Sequence, residues 1–209
     1  VAAQNGYSKF INIVLEGLTD TDRLEYLKKE TNYGITLLRI AAQTRNVDDI
    51  NEFVEGVGDA GRAGRLSCSQ MSGYDGWTPL HIAAQNGHVD VINALVDGLR
   101  NENRERCLHK KTDSRFSPHF IETNCGRVKV ISGATPLSIA IKYGRANVIK
   151  ELLRGVSDED ALNYIYDAKN LIYEKEGKSY RDCKICRSET YDEVESIFRY
   201  YDDKQSLAR

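Results

Sequence analysis

What this chain has little of removes several classes of protein. No uncharged apolar run approaches the roughly 18 residues of a membrane span, so no spanning helix is expected. An excess of one charge is missing too. There are 29 Lys and Arg against 31 Asp and Glu, a formal net charge of −2, and no global field favours nucleic acid. Val1 to Phe10 has neither the basic start nor the apolar core of a secretion leader. The only methionine is Met71, so the chain reads as a piece of a longer protein. Cysteines are few and odd in number: Cys68, Cys107, Cys125, Cys183 and Cys186. Without a leader, that pattern predicts reduced thiols and a cytosolic location, in a bacterium or in a host cell.

Catalytic patterns are also missing. There is no nucleophile elbow, phosphate loop or metal-spaced carboxylate set. The glycines between residues 58 and 64 are not followed by a helix carrying the needed lysine. Cys183-Lys184-Ile185-Cys186 is half of a zinc site, with no second pair of ligands in the sequence. Two free thiols in a loop is the preferred reading. His109 and His119 have no nucleophile or acid in a fixed relation to them. No cofactor, metal or small-molecule substrate is therefore expected.

A repeated phrase is what the chain does have. Thr78-Pro79-Leu80-His81-Ile82-Ala83-Ala84 is closed by Asn86-Gly87-His88 and followed by Val91-Ile92 and Leu95-Val96. Thr78 can cap a helix, and Pro79 in the first turn has no amide to waste. The small apolar face of Leu80, Ala83 and Ala84 lets helices approach closely. Gly87 can take the left-handed conformation that ends the helix. A second helix is predicted from Val89 to Val96, with Gly98 ending it. The phrase returns as Thr135-Pro136-Leu137-Ser138-Ile139-Ala140-Ile141, then Gly144, Val148-Ile149 and Leu152-Leu153. It returns more weakly as Thr36-Leu37-Leu38-Arg39-Ile40-Ala41-Ala42, with no proline and with Arg45 in the glycine's place. The chain begins inside another copy, Val1-Ala2-Ala3-Gln4-Asn5-Gly6. The anchors Ala2, Ala41, Ala83 and Ala140 are 39, 42 and 57 residues apart. Such a chain is a stack of small units, each burying its apolar face on the next.

These phrases resemble the ankyrin repeat, whose length is about 33 residues, with units near 1–17, 34–56, 73–98 and 131–155. The resemblance implies an all-α solenoid of antiparallel helix pairs over residues 1–156, with fingers at right angles to the helices. It implies a non-catalytic module whose concave face and finger loops bind a protein of unknown identity. It assigns His81 and His88 to structure. Contact positions carried over from the family are Asn32, Tyr33, Ile35, Gln43 and Thr44 in one unit. The next unit gives Tyr74, Asp75, Trp77, Gln85 and Asn86, and the last gives Ser132, Ala134, Lys142 and Tyr143. Trp77, the only tryptophan, is expected to be half exposed and to anchor a partner with Tyr33, Tyr74 and Tyr143. The irregular spacers resemble those of ankyrin effectors from intracellular bacteria. They suggest an alternative, a targeting array for an active domain outside this sequence.

The spacers have readings of their own. Thr21 to Glu30 reads as a short added helix, and residues 57–72 read as an extended loop. Residues 100–132 form the largest insertion. Its first part, 100–115, carries six Lys and Arg against three acids and reads as a solvated surface loop. Its second part reads as a β-hairpin, with His119–Thr123 and Arg127–Ile131 flanking Asn124-Cys125-Gly126. Residues 157–209 are predicted to be a helical cap. One helix follows Ser157, with Leu162, Ile165, Ala168 and Ile172 at helical spacing. Another runs from about Ser188 to Tyr201, and 204–209 are expected to fray.

Overall fold

Each repeated phrase becomes a pair of short helices because its caps and its apolar spacing agree. The computed structural model describes Thr19, Asp22 and residues 36–54, 76–112, 120–123, 126–129, 133–176 and 189–207. The readings made for 1–17, for 21–30 apart from Asp22, for 57–72, and for Cys183 and Cys186 lie outside the described residues.

Three pairs carry the phrase. They are α1 (Leu37–Thr44) with α2 (Val47–Val54), α3 (Pro79–Asn86) with α4 (Val89–Val96), and α6 (Pro136–Lys142) with α7 (Ala146–Leu152). Thr36, Thr78 and Thr135 precede the first helix of each in extended backbone. The Thr36 hydroxyl accepts the Arg39 N–H at 3.2 Å, and Thr135 accepts the Ser138 N–H at 3.2 Å. Such a cap contributes about 1 kcal/mol.

The helices stack in two rows. In the inner row α3 packs between α1 and α6. In the outer row α4 packs between α2 and α7. Close approach in the inner row needs small side chains, and Ala41, Ala42, Ala83, Ala84 and Ala140 are all fully buried. Larger side chains fill the space between the rows: Leu38, Ile50, Phe53, Leu80, Ile92, Leu95 and Ile149. Each is worth roughly 1.5–3 kcal/mol on burial.

Two longer helices follow, α8 (Asp158–Glu176) and α9 (Glu189–Leu207). Ser157 opens α8 by accepting the Asp160 N–H at 3.1 Å. Helix α8 packs on α6 and α9 on α7, so both rows gain one further member. Ala161, Ile165, Ala168, Val194 and Phe198 enter the common core. The end of α9 is longer than expected. It runs through Leu207, and Lys204 Nζ donates to Asp158 Oδ2 at 2.8 Å in the first turn of α8.

The insertion departs from expectation in its first part. Residues 101–108 form a helix, α5 (Asn101–Leu108), instead of a solvated loop. Cys107 and Leu108 are buried in the core, and Arg104 Nη2 donates to the Glu151 carbonyl of α7 at 3.0 Å. In the second part β1 (Phe120–Thr123) pairs antiparallel with β2 (Gly126–Lys129), Phe120 opposite Lys129 and Thr123 opposite Gly126. The excursion begins and ends at one neck. Thr112 N–H donates to the Ala134 carbonyl at 2.8 Å, and Gly133 N–H donates to the Thr112 carbonyl at 3.0 Å. The Thr112 hydroxyl accepts the Ala134 N–H at 2.9 Å.

Candidate protein-interaction surface

The inner helices end alike, and this places side chains in equivalent positions. The N–H groups of Asn46, His88 and Arg145 return to the carbonyls of Ala41, Ala83 and Ala140 at 2.9, 3.0 and 2.8 Å. Each turn passes through a left-handed residue: Arg45 at φ 58°, Gly87 at φ 81° and Gly144 at φ 63°. Just before these turns stand Gln43-Thr44, Gln85-Asn86 and Lys142-Tyr143. Gln43, Thr44 and Asn86 are exposed, and Lys142 and Tyr143 are half-buried. Gln85 is buried, and its amide donates to the Tyr143 hydroxyl at 3.2 Å. Six of the carried-over positions therefore form one row across three units.

The other described positions do not join that row. Trp77 is only 1% exposed, which corrects the expectation of a half-exposed anchor. Ala134 holds the equivalent place before Thr135 and is 0% exposed. Both residues directly precede the capping threonine, where the chain turns inward to start the helix. The indole ring lies 5.9 Å from the buried His81 imidazole, centroid to centroid. Of the aromatic stripe, Tyr143 alone is partly accessible among the described residues. Asn32, Tyr33, Ile35, Tyr74, Asp75 and Ser132 lie outside the described residues.

The row is held by bonds between units. His81 Nδ1 accepts from the Thr78 N–H at 3.2 Å and the Thr78 hydroxyl at 2.7 Å. Its Nε2 must then carry the proton, and it donates to the Ala134 carbonyl of the next unit at 3.0 Å. His88 Nδ1 lies 3.1 Å from the Ala42 carbonyl of the preceding unit. Arg145, in the place of His88 one unit on, donates from Nε to the Gln85 carbonyl at 2.9 Å. These three side chains do structural work, as the family resemblance implied for the two histidines.

Ion pairs on the outer row continue the pattern. Arg45 pairs with Asp90 at 2.9 Å, and Arg154 with Asp97 at 2.9 Å. Burial acts to raise the Asp90 pKa. The Arg45 hydrogen bond, the Val91 N–H and the Arg45 charge outweigh it, and the carboxyl sits below its ordinary value. Beside them the Arg104 guanidinium has its pKa lowered, first by burial and then by the Arg154 charge. The docking of α5 had only one weak sequence signal, two apolar residues closing a charged run (Cys107-Leu108).

Among the described residues no three His, Cys, Asp or Glu side chains group as metal ligands, and no helix is long and apolar enough to cross a membrane. No curated protein matches the chain. A family model of three ankyrin repeats matches residues 1–106 and again residues 63–163. With most of its length matched, and with helix pairs repeating in two rows, the chain belongs to the ankyrin-repeat family.

Proposed function

We propose that this chain is a non-catalytic module that binds a protein partner along the accessible inner-helix ends, at the exposed Gln43, Thr44 and Asn86 and the half-buried Lys142 and Tyr143. One observation carries the reading: the Gln85–Tyr143 bond and the Arg145–Gln85 bond tie two consecutive units within that row. A surface fixed before docking loses little entropy when a partner binds. Ankyrin repeats generally serve protein interaction, and family membership supports the same class of partner. The positions outside the described residues, Asn32, Tyr33, Ile35, Tyr74, Asp75 and Ser132, extend this proposed surface. The β1–β2 ribbon is read as a finger on the insertion, and α8 with α9 as the cap that covers the apolar face of the last unit. The buried Cys107 thiol suits a reducing cytosol.

The test is affinity capture with the whole chain, followed by titration of the captured partner. A triple variant, Gln43→Ala, Asn86→Ala and Lys142→Glu, is expected to weaken binding at least tenfold, about 1.4 kcal/mol, with an unchanged urea midpoint. A partner that binds the triple variant as tightly as the parent overturns the assignment.

A further inference from the structure

The charges of the three helix pairs are sorted by row. Across residues 36–54, 78–96 and 135–152 every aspartate and glutamate stands on an outer helix: Asp48, Asp49 and Glu52 on α2, Asp90 on α4 and Glu151 on α7. The inner helices α1, α3 and α6 carry none. The cations of the same ranges fall the other way. Arg39, Arg45, Lys142 and Arg145 stand on an inner helix or on the turn that closes it, and only Lys150 stands on an outer helix. Arg45 is already taken by Asp90 of the outer row.

Arg145 is the cation whose place is fixed. Its Nε donates to the Gln85 carbonyl of the preceding unit at 2.9 Å. Its side chain crosses the turn at Gly87, where a Cβ would lie 3.2 Å from Cδ, 3.4 Å from Nε and 3.7 Å from Cζ. A glycine at 87 is what lets it lie there. Gln85 is held in turn, through its amide, by the Tyr143 hydroxyl at 3.2 Å. The guanidinium therefore bridges two units in the middle of the inner row, and its side chain is only half-buried. A guanidinium has five N–H donors, and Nε has a single one. The bond to Gln85 uses it, which leaves the planar edge formed by Nη1 and Nη2. Among the described residues no carboxylate pairs with this edge. Exposed Asn86 follows Gln85 directly, and Lys142 stands three residues before Arg145.

We infer that the inner row receives a glutamate or aspartate side chain of its protein partner, held end-on by the Arg145 guanidinium where the units at 78–96 and 135–152 join. The inference rests on the reading of that row as the partner-binding surface, and it adds the chemistry of what binds. A carboxylate has two coplanar oxygens, which a guanidinium edge matches with two parallel hydrogen bonds. The stem and Nε are ordered before docking, so little side-chain entropy is lost when the pair forms. Lys142 and Arg39 add charge of the same sign along the row and disfavour a basic partner.

A phage-displayed library of random dodecapeptides is panned against the whole chain. The selected peptides are expected to carry at least about twice the Asp and Glu of the unselected library. Replacing the acids of a selected peptide by their amides should weaken it at least about tenfold. Arg145→Gln should weaken the acidic peptide by a similar factor and leave the amide peptide unchanged, whereas a merely structural role for Arg145 would weaken both alike. Arg145→Lys keeps the charge without the planar edge and should restore only part of the affinity. The urea midpoint of each variant reports its folding. On the parent chain, which needs no variant, an about tenfold rise in sodium chloride should weaken the acidic peptide and spare the amide. Equal loss of both peptides on Arg145→Gln, or no effect of salt, overturns the inference. Peptides that lose affinity on Gln43→Ala with Asn86→Ala, yet carry no excess of acids, overturn the carboxylate and leave the inner row standing. Acidic peptides that couple to Arg145 and ignore Gln43 and Asn86 support the carboxylate and overturn the longer row. A library that yields no binder overturns both.

Discussion

Thr36 and Thr78 each open an inner helix, and both helices end in a left-handed residue, yet the residues between them differ in quality. The unit at 78–96 has Pro79 in its first turn, His81 bonded to Thr78 and to Ala134, and Gly87 at φ 81°. The unit at 36–54 has Leu37, Arg39 and Arg45 in those places, and Arg45 holds φ 58°, the one positive φ outside glycine among the described residues. The backbone is conserved between them while the chemistry decays. Stacking supplies the difference: α1 packs on α3 and α2 on α4, so the weaker unit borrows its order from the stronger.

Removing what the stronger unit uniquely has gives the largest expected effect. Trp77→Ala deletes a fully buried indole and should cost about 3–5 kcal/mol in urea-induced unfolding. A variant of parental stability that instead loses partner binding would return Trp77 to the surface. Next comes His81→Ala, which strips two bonds from Thr78 and one from Ala134. It should cost about 1–3 kcal/mol. Arg39→Ala, at the same place in the weaker unit, should cost clearly less in the same assay.

The left-handed turns allow a paired test. Gly87→Ala is strained at φ 81°, and its new Cβ would lie 3.2 Å from Arg145 Cδ. Moving Arg145 loosens its bond to Gln85, so a loss of about 1–2 kcal/mol is expected. Arg45→Gly runs the other way. Relief of strain exceeds the loss of one exposed ion pair, and a gain of about 0.5 kcal/mol should appear as a higher unfolding midpoint. If both substitutions destabilise, the two turns are not equivalent.

The smallest effect is in pH. The Asp90 carboxyl has a lower pKa folded than unfolded, so its contribution is present above the unfolded value of 3.8 and is lost as pH falls through the folded value. The pair is exposed, so the loss should be a few tenths of a kcal/mol. Stability measured from pH 5 downward should show it in the parent and not in Arg45→Gly.

The same contrast explains what was legible in the sequence. Thr78, Pro79, Gly87 and the apolar spacing of Val91, Ile92, Leu95 and Val96 located α3 and α4 to the residue, because local chemistry and tertiary packing agree there. Arg45 carried no sign of a turn, since its conformation is imposed by neighbours. Helix α5 was hidden for a similar reason. Its charged run has little helical pattern, and it is fixed by contacts of Arg104, Cys107 and Leu108 with distant elements. Trp77 misled because an alignment places a residue along the chain but not the side on which its ring packs. The positions 43–44, 85–86 and 142–143 came from the family resemblance, carried along the repeat.

The neck at Thr112 and Ala134 has a consequence for how such a protein changes over time. Three hydrogen bonds close it, and both ends of the excursion leave from a single buried point. Lengthening the excursion therefore costs only the slow, logarithmic entropy of a larger loop. New sequence added between 113 and 132 leaves this closure in place, which makes the excursion a place where descendants of the chain can acquire new contacts.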